Sequence, residues 1–566
     1  MTTTLAASVL WTLGTVAALG LALRLRARPW IAFLIWLLPT VVLVLDFERQ
    51  TLSAHGLFHA SIVYDILERG APPGHPLLGG PPGDPLRYPW AHHAIAAAAA
   101  RLLGMTPAAV FGATGLLSLI LFGFFLDRAA REIDADARYR VLAVALALFG
   151  SNPFTYGPLA SALTRAGVPL EPRAVPWVKF AGVNSNHLGL MLTALVLLAL
   201  LRIAASERPG RSPYVLAGAA MLGSAFLYPM SFLTNGVWLG ATAAWLALRQ
   251  GPSGRARAFR LLAAATVGTL PALPYLWLVS AGRSAAGALQ VAPSPGYALR
   301  HLAILGVALV LPLLLIAAVR PGLNRDGRTT VLILCAAAAQ AVFVLGFLST
   351  LVAYKFLMAS MLPLGLLAAA PLRRLAEMRP LPALACLLLL FLPMGMGMGR
   401  AVTEGWPAAQ PLTHRGAYLE PLDPAERGLY RWIAERTPKE ALFVDDRLTV
   451  PPFGRRRLFV ALTQAPPPSG THDGWGMSSE LILGGVTGAD TERAERRRQI
   501  ALELLVSGTR ESLERLREEA GESPVYVIAR DDKVAARMTG LGLRPVYPEP
   551  AVYLIPAPGY GAAGAK

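Results

Sequence analysis

The chain has little charge, few acids and almost no cysteine for its length. Only 15% of its 566 residues are charged, and 35 acids are outnumbered by 52 lysines and arginines. Hydrophobic residues make up 54% of the sequence, which is more apolar surface than a water-soluble protein of this size needs. The excess is explained if lipid covers the outside, so the sequence predicts an integral membrane protein.

The motifs of the commonest soluble enzymes are also missing. The sequence has no Walker P-loop, no G-x-S-x-G nucleophile elbow and no C-x-x-C pair. Its two cysteines, Cys335 and Cys386, both fall inside apolar runs. In such surroundings core packing is favoured over a disulfide.

The excess of positive charge falls in every second loop between apolar runs. The clusters are Arg24, Arg26 and Arg28; Arg128, Arg131, Arg138 and Arg140; Arg202, Arg208 and Arg211; Arg249, Arg255, Arg257 and Arg260; Arg320, Arg325 and Arg328; Arg373, Arg374 and Arg379. This is the positive-inside pattern of a membrane protein and argues against a nucleic-acid partner. Placing these loops in the cytoplasm puts both termini outside, together with the loop at 46–106 and the C-terminal third.

The fold class predicted is a polytopic α-helical membrane protein with a C-terminal soluble α/β domain. About twelve apolar runs are long enough to span a bilayer. They lie near 5–23, 30–45, 107–126, 137–151, 187–203, 213–229, 231–248, 260–280, 302–319, 329–349, 354–370 and 381–398. These runs form a transmembrane domain over 1–399. Beyond it, strand patterns at 441–446, 456–462, 524–532 and 551–557 alternate with amphipathic helices at 424–437, 490–508 and 510–520, which predicts an extracytoplasmic α/β domain over 400–566. Asp445 and Asp446 end the first of these strands, where solvated turn residues are favoured over a site.

Ionisable residues concentrate in the loop at 46–106, directly after an apolar run. Desolvating such groups at a membrane boundary is costly, so their presence points to a functional site. The acids Asp46 and Glu48 begin this loop. The candidate substrate-binding residues that follow are His59, Asp65, Tyr88, His92 and His93.

The histidines of this loop allow a metal-site hypothesis. His55 and His59 are four residues apart, so a helix would place both on one face, a spacing that zinc can use. The segment reads HGLFH and lacks the glutamate of the hydrolytic HExxH signature. Adding His92, His93 and Asp46 could complete a site for a divalent metal. Hydrogen bonding to a substrate, or packing at the interface, is favoured over metal binding.

Three cations are candidates for binding a phosphate. Arg173 and Lys179 lie in the long loop at 151–186, against the positive-inside bias. Cations there either contact a lipid phosphate or snorkel into solvent. Lys355 lies at the outer boundary between two apolar runs, beside Tyr354. It either snorkels to lipid headgroups or holds an anionic ligand, and the second role is favoured.

Several of these features occur together in one known superfamily. An apolar helix opens into an external loop with an early acid, RYPWAHH (87–93) precedes an Ala-rich helix, and an α/β domain ends the chain. This layout resembles the GT-C superfamily of membrane glycosyltransferases, which use sugars carried on polyprenyl phosphate. The resemblance implies that Asp46 acts as general base or positions the acceptor, with Glu48 as its partner. It also implies that Lys355, in AYKFL, meets the donor phosphate.

The function expected from this resemblance is sugar transfer from a polyprenyl-phosphate donor to an acceptor on the extracytoplasmic face. The acceptor, whether glycan, lipid or protein, stays open. Asp46 would deprotonate the acceptor hydroxyl, and Lys355, with Arg173 or Lys179, would stabilise the departing phosphate.

Two alternatives remain to glycosyl transfer. One is a transporter or flippase of lipid-linked intermediates, although no internal repeat typical of transporters is visible. The other is a non-catalytic relative that serves as an assembly component. The composition suits a bacterial inner membrane, with membrane lipid as a further partner.

Overall fold

The computed structural model describes most of the apolar helices and much of the C-terminal region. The described residues are 2–24, 59, 62–67, 70–73, 86, 88–105, 107–150, 165–167, 185–280, 295–318, 326–345, 350–404, 420–421, 424–438, 441–446, 468–469 and 488–557. Several sequence predictions fall outside them: the helix at 30–45, the strand at 456–462, and the side chains of Asp46, Glu48, His55, Arg173 and Lys179.

Long apolar helices dominate the first 404 residues. They are α1 (Thr2–Arg24), α2 (Ala91–Leu103), α3 (Pro107–Ile133), α4 (Ala137–Phe149), α5 (Asn186–Ala204), α6 (Ser212–Leu227), α7 (Pro229–Arg249), α8 (Gly251–Thr269), α9 (Leu273–Ser280), α10 (Pro295–Ala318), α11 (Gly327–Leu345), α12 (Thr350–Met378) and α13 (Pro380–Glu404). A 3-10 turn, Leu270–Ala272, joins α8 to α9.

Six stretches among the described helices are long and apolar enough to cross a membrane. They are Leu5–Arg24, Ala109–Ile133, Asn186–Ala204, Gly251–Val279, Gly327–Leu345 and Tyr354–Met378. Ser212–Leu227 and Pro380–Met396 are shorter apolar helices. The chain is therefore an integral membrane protein, as the composition predicted, while the figure of about twelve spans stays a prediction.

The described residues fall into two compact units. The first unit covers the described parts of 1–45, 112–277 and 288–415, and the second unit those of 46–111, 278–287 and 416–566. In the first unit α1 packs along α13, and α4 packs along α12. Cys335 of α11 belongs to the buried apolar core of this unit, and Cys386 of α13 packs partly buried against it, in line with the packing role predicted for them.

Helix α4 occupies the core of the first unit. Its 13 residues rise about 20 Å, which is short of the roughly 30 Å hydrocarbon core of a bilayer. Every residue from Val141 to Phe149 is buried, and the Tyr139 hydroxyl donates to the Leu366 carbonyl of α12 at 2.8 Å. At Gly365 of α12 an added Cβ would lie 2.4 Å from the Ala147 nitrogen, so the two backbones are in direct contact. Protein packing therefore encloses this short helix.

Ion pairs join helix ends where the arginine clusters lie. Arg140 at the start of α4 bonds Asp127 of α3, and Arg202 at the end of α5 bonds Glu132 of α3 at 3.0 Å. Arg373 of α12 reaches Asp134 at 2.8 Å and Asp136 at 3.0 Å. The arginine clusters that contain Arg140, Arg202 and Arg373 therefore lie at the same end of the first unit. The positive-inside pattern had assigned all three to the cytoplasmic side.

The C-terminal part of the second unit contains a small four-stranded sheet. Its strands are β2 (Leu442–Asp445), β4 (Val525–Ala529), β5 (Pro545–Tyr547) and β6 (Ala551–Ile555), in the order β2-β4-β6-β5. Strands β2 and β4 are parallel, and β6 is antiparallel to both β4 and β5. A separate pair of two-residue strands, β1 (Glu420–Pro421) and β3 (Pro468–Ser469), is antiparallel. The helices are α14 (Pro424–Arg436), α15 (Gly488–Ser507), α16 (Arg510–Ala520) and α17 (Asp532–Gly540).

Asp445 and Asp446, at the end of β2, have a structural role. The sequence favoured solvated turn residues here over a site. Instead, Arg530 donates to Asp445 at 2.5 Å, and Asp446 accepts the backbone N–H groups of Arg530 and Asp531 at 2.5 and 2.7 Å. Burial raises the pKa of Asp446, and the two N–H donors oppose that rise. These acids tie the end of β2 to the segment after β4.

Candidate functional site

A cluster of aromatic and imidazole rings forms around the start of α2 in the second unit. Tyr88 and Pro89 precede the helix, which ends at Gly104 with φ of 63°. Its alanines at positions 96, 97 and 100 are buried along one face together with His92 and His93. The Ala-rich sequence favours a helix, and the left-handed conformation that terminates it is one that glycine adopts without strain.

His59 and His93 make the central contact of this cluster. His59 Nδ1 lies 2.7 Å from His93 Nε2, and the two rings stack with centroids 4.9 Å apart at 6°. A hydrogen bond between two imidazole nitrogens requires one ring to donate and the other to accept, which fixes complementary tautomers. Tyr88 meets both rings edge-on at 6.0 Å.

Phe111, at the start of α3, completes the cluster from the other side. It lies edge-on to His92 at 5.1 Å and to both His59 and His93 at 6.0 Å. The three histidines are at most 3% exposed, whereas Tyr88 is only partly buried. The structure thus brings together four of the residues grouped by the sequence, and it adds Phe111. An aromatic ring on an apolar helix gave no sequence signal for this role.

Asp65 lies on a helical segment over 62–67 in which residues 62 to 66 are all buried. Its side chain is fully enclosed, and Arg101 of α2 donates to the Leu67 carbonyl at 2.7 Å, which ties the segment to α2. Among the described residues, no group of three or more histidine, cysteine or acidic side chains is arranged to hold a metal. The metal hypothesis also involves His55 and Asp46, which lie outside the described residues, so it stays a prediction.

We expect the burial of His92 to make the second unit sensitive to acid. Burial lowers the pKa of His92 from 6.5 to about 4. Between these pH values the unfolded chain binds the proton and the folded chain does not, so stability falls as the pH drops from 6.5 towards 4. The difference in pKa corresponds to about 3 kcal/mol of unfolding free energy. The measurement is the apparent unfolding free energy as a function of pH for the wild type and for His92→Gln. The variant should lose the part of the pH dependence that His92 contributes. Identical acid sensitivity in both proteins would contradict the assignment.

A second polar cluster forms in the first unit where α6 gives way to α7. Tyr228 lies between the helices with φ of −155° and ψ of 84°, and Pro229 begins α7. The Tyr228 hydroxyl donates to the side-chain oxygen of Asn186, in the first turn of α5. Gly189 leaves room for the ring, because a Cβ there would lie 2.3 Å from Tyr228 Cδ1.

Lys355 of α12 places its charge against this tyrosine. Its Nζ lies 5.0 Å from the Tyr228 ring centroid and 6.0 Å from that of Tyr354. An ammonium over an aromatic face gains roughly 0.5–2 kcal/mol, increasing as water is excluded. The side chain is partly exposed while Tyr354 is 8% exposed, so the charge is held at a defined place and stays accessible.

Hydroxyl and amide groups surround the same helix break. Ser231 donates to the Tyr228 carbonyl at 2.9 Å, and Asn235 donates to the Ser224 hydroxyl at 2.8 Å. Ser224 and Asn235 are fully buried. Fixed dipoles in such a dry environment interact strongly with charge. The sequence singled out Lys355 and Tyr354 but missed Tyr228 and Asn186. The only local signal was the Tyr-Pro pair between two apolar runs.

Comparison with known proteins identifies the fold. No family model matches the sequence, and no curated protein is significantly similar to it. ArnT from Cupriavidus metallidurans bound to undecaprenyl phosphate is 15% identical with a TM-score of 0.55, covering 95% of this chain and 99% of that one. The apo state of the same enzyme has a TM-score of 0.54 at 15% identity, and the match covers 93% of this chain and 97% of that one. Arabinofuranosyltransferase AftD from Mycobacteria has a TM-score of 0.51 at 17% identity, and the match covers 90% of this chain and 37% of that one.

These similarities extend over nearly the whole chain, although identity is low. They show that the chain shares the fold of these solved structures, which is the fold expected from the GT-C resemblance. A shared fold does not by itself establish activity, which depends on the residues that form the site.

Proposed function

We propose that the protein is a membrane glycosyltransferase that moves a sugar from a polyprenyl-phosphate donor to an acceptor on the extracytoplasmic face. The observation that carries the proposal is the placement of Lys355. Its ammonium is held over the ring of Tyr228, and the helices on either side of Tyr228 carry the buried hydroxyl of Ser224 and the buried amide of Asn235. A fixed cation at the edge of an apolar helical unit suits a phosphate whose lipid tail lies between helices. The fold supports the same reading, since ArnT was solved with undecaprenyl phosphate bound.

The proposed reaction joins the acceptor oxygen to the anomeric carbon of the sugar. The bond from that carbon to the phosphate oxygen breaks, and polyprenyl phosphate leaves with the bonding electrons. Asp46, with Glu48 as its partner, takes the proton of the acceptor hydroxyl. Lys355 stabilises the negative charge that develops on the phosphate, with Arg173 or Lys179 as further cations.

The ring cluster at the start of α2 is the proposed substrate-binding element. Tyr88 is its accessible member, because His59, His92 and His93 are at most 3% exposed. We propose that the buried histidines and Asp65 hold Tyr88 and the loop at 46–106 in position. A hydroxyl so placed can hydrogen-bond a sugar or an acceptor.

Mass spectrometry of co-purifying lipids tests the donor site. We expect polyprenyl phosphate, or its glycosylated form, to be enriched in the wild type and lost from Lys355→Ala, because the charge that holds the phosphate is gone. Arg300→Ala is the matched control, since it removes an exposed cation from α10 of the same unit. It should retain the lipid. Equal amounts of ordinary phospholipid in all three samples, without polyprenyl phosphate, would remove Lys355 from this role.

A further inference from the structure

A groove of about 830 Å³ runs between α6 and α8, on the first unit. Its size falls within the roughly 300–1,000 Å³ of small-molecule sites. Both helices begin at the end of the unit that carries the arginine clusters and run away from it side by side. The floor consists of small residues: a Cβ on Gly218 would lie 2.7 Å from the Ala264 carbonyl, and one on Gly268 would lie 2.1 Å from the Gly218 carbonyl. The backbones therefore touch below the groove.

The walls of the groove are apolar and exposed. Val215, Phe259 and Val267 are 66%, 74% and 67% exposed, although they are large hydrophobic side chains. From Tyr214 to Leu222 on α6 the lining extends about 12 Å, and from Arg260 to Gly268 on α8 it extends the same distance. The hydrocarbon layer of one bilayer leaflet is roughly 15 Å deep. The groove is therefore about as long as the part of a lipid acyl chain that lies in one leaflet.

The charged end of the groove combines two arginines with a buried hydroxyl. Arg211 and Arg260 line it and are exposed, and neither pairs with an acid among the residues that the structure describes. Tyr214 also lines it and is only 7% exposed. Within the described part of the chain, its hydroxyl has no hydrogen-bond partner. A buried hydroxyl without a partner destabilises the protein, and a ligand oxygen that accepts its hydrogen bond would remove that cost.

Neighbouring residues fix this arrangement in place. Arg257 is 3% exposed and donates to the carbonyls of Ile203 at 3.2 Å and Ser206 at 2.9 Å. Ser253 donates to the Glu207 carbonyl at 3.2 Å. The loop before α6 is thereby tied to α8, so Arg211 and Arg260 stay at the same end of the groove.

We propose that this groove binds an anionic glycerophospholipid of the surrounding membrane. The lipid phosphate accepts hydrogen bonds from Arg211, Arg260 and the Tyr214 hydroxyl, and an acyl chain lies along the apolar walls. Guanidinium groups bind phosphate oxygens through short charge-assisted hydrogen bonds. The positive-inside pattern places this end in the cytoplasmic leaflet, where anionic lipids give a negative surface potential. The proposal does not depend on the transferase function, because it concerns different helices and a different phosphate.

Native mass spectrometry with added dioleoylphosphatidylglycerol or dioleoylphosphatidylcholine tests this site. We expect the wild type to retain phosphatidylglycerol about tenfold more strongly than phosphatidylcholine, and the double variant Arg211→Gln/Arg260→Gln to lose that preference. Arg255→Gln is the matched control: it removes an exposed charge from α8 that does not line the groove, and it should keep the preference. Tyr214→Phe removes only the hydroxyl and should weaken retention severalfold, which keeps the test valid if the double variant does not fold.

The results of this experiment distinguish the lipids that could occupy the groove. Equal retention of both lipids by the wild type, or equal losses in Arg255→Gln and the double variant, would overturn the proposal. Displacement of phosphatidylglycerol by substoichiometric undecaprenyl phosphate, in the wild type but not in the double variant, would assign the groove to a polyprenyl phosphate and overturn the phospholipid assignment. Resistance to that displacement supports a structural phospholipid.

Discussion

Lys355→Met is expected to lower sugar transfer by about 10²–10³-fold, the usual loss when one group that stabilises developing negative charge is removed. The ammonium lies 5.0 Å from the centre of the Tyr228 ring, so its position is set before substrate arrives. Methionine has a similar length and preserves the packing of α12, but it carries no charge. The measurement is the turnover of a polyprenyl-phosphate sugar by purified protein in detergent.

Three further variants separate charge from packing at this position. Lys355→Arg keeps the charge and should retain a measurable part of the activity. Tyr228→Phe removes only the hydroxyl bonded to Asn186, whereas Tyr228→Leu also removes the ring beneath the ammonium. We expect the loss of turnover to be larger in the leucine variant. Full activity of Lys355→Met would mean that the charge at 355 does not meet the leaving phosphate.

Asp46→Asn is expected to lower transfer by about 10²–10⁴-fold, the range that general-base catalysis contributes. The acid follows the apolar run at 30–45 directly and opens the loop that contains the ring cluster. Asparagine has nearly the same shape but cannot accept the proton of an acceptor hydroxyl. Because the change is isosteric, thermal unfolding and retention of the donor lipid should match the wild type.

Neighbouring carboxylates give the controls for this variant. Glu48→Gln should cost less than Asp46→Asn if Glu48 acts only as its partner. Near wild-type turnover of Asp46→Asn would move the base elsewhere, and Glu48 and Asp65 would be the next candidates. A large loss in Asp65→Asn is informative only if the protein folds, because Asp65 is fully buried.

The helical framework was largely predictable because it depends on local sequence. Runs of apolar residues marked helices such as α5, α11 and α12, and amphipathic spacing marked α14, α15 and α16. Strands β2, β4 and β6 followed from short β-branched and aromatic runs. The short strand β5 and helix α17 were missed, since three to nine residues give too little periodicity.

The geometry of the sites was less predictable because it depends on contacts between distant residues. His59 and His93 were both identified, but their hydrogen bond joins positions 34 residues apart. Tyr228 lies between α6 and α7 whereas Lys355 lies on α12, and nothing local to either residue indicates the other. The sequence reading of Asp445 and Asp446 as solvated was wrong, because their partner Arg530 lies 85 and 84 residues away. The sequence pattern therefore predicted the helices and the types of residue at the sites. Which side chains contact one another depends on tertiary packing.

The most direct test of the proposed transferase is a label-transfer assay. Purified wild-type protein would be incubated with undecaprenyl-phosphate sugars labelled in the sugar and with an envelope extract as acceptor. For at least one sugar, we expect the label to leave the lipid for a new product with equimolar release of undecaprenyl phosphate. Asp46→Asn and Lys355→Met should do neither. Label that never leaves the lipid, or that leaves it equally in both variants, would contradict the account. Movement of intact labelled lipid across a vesicle without release would favour a transporter.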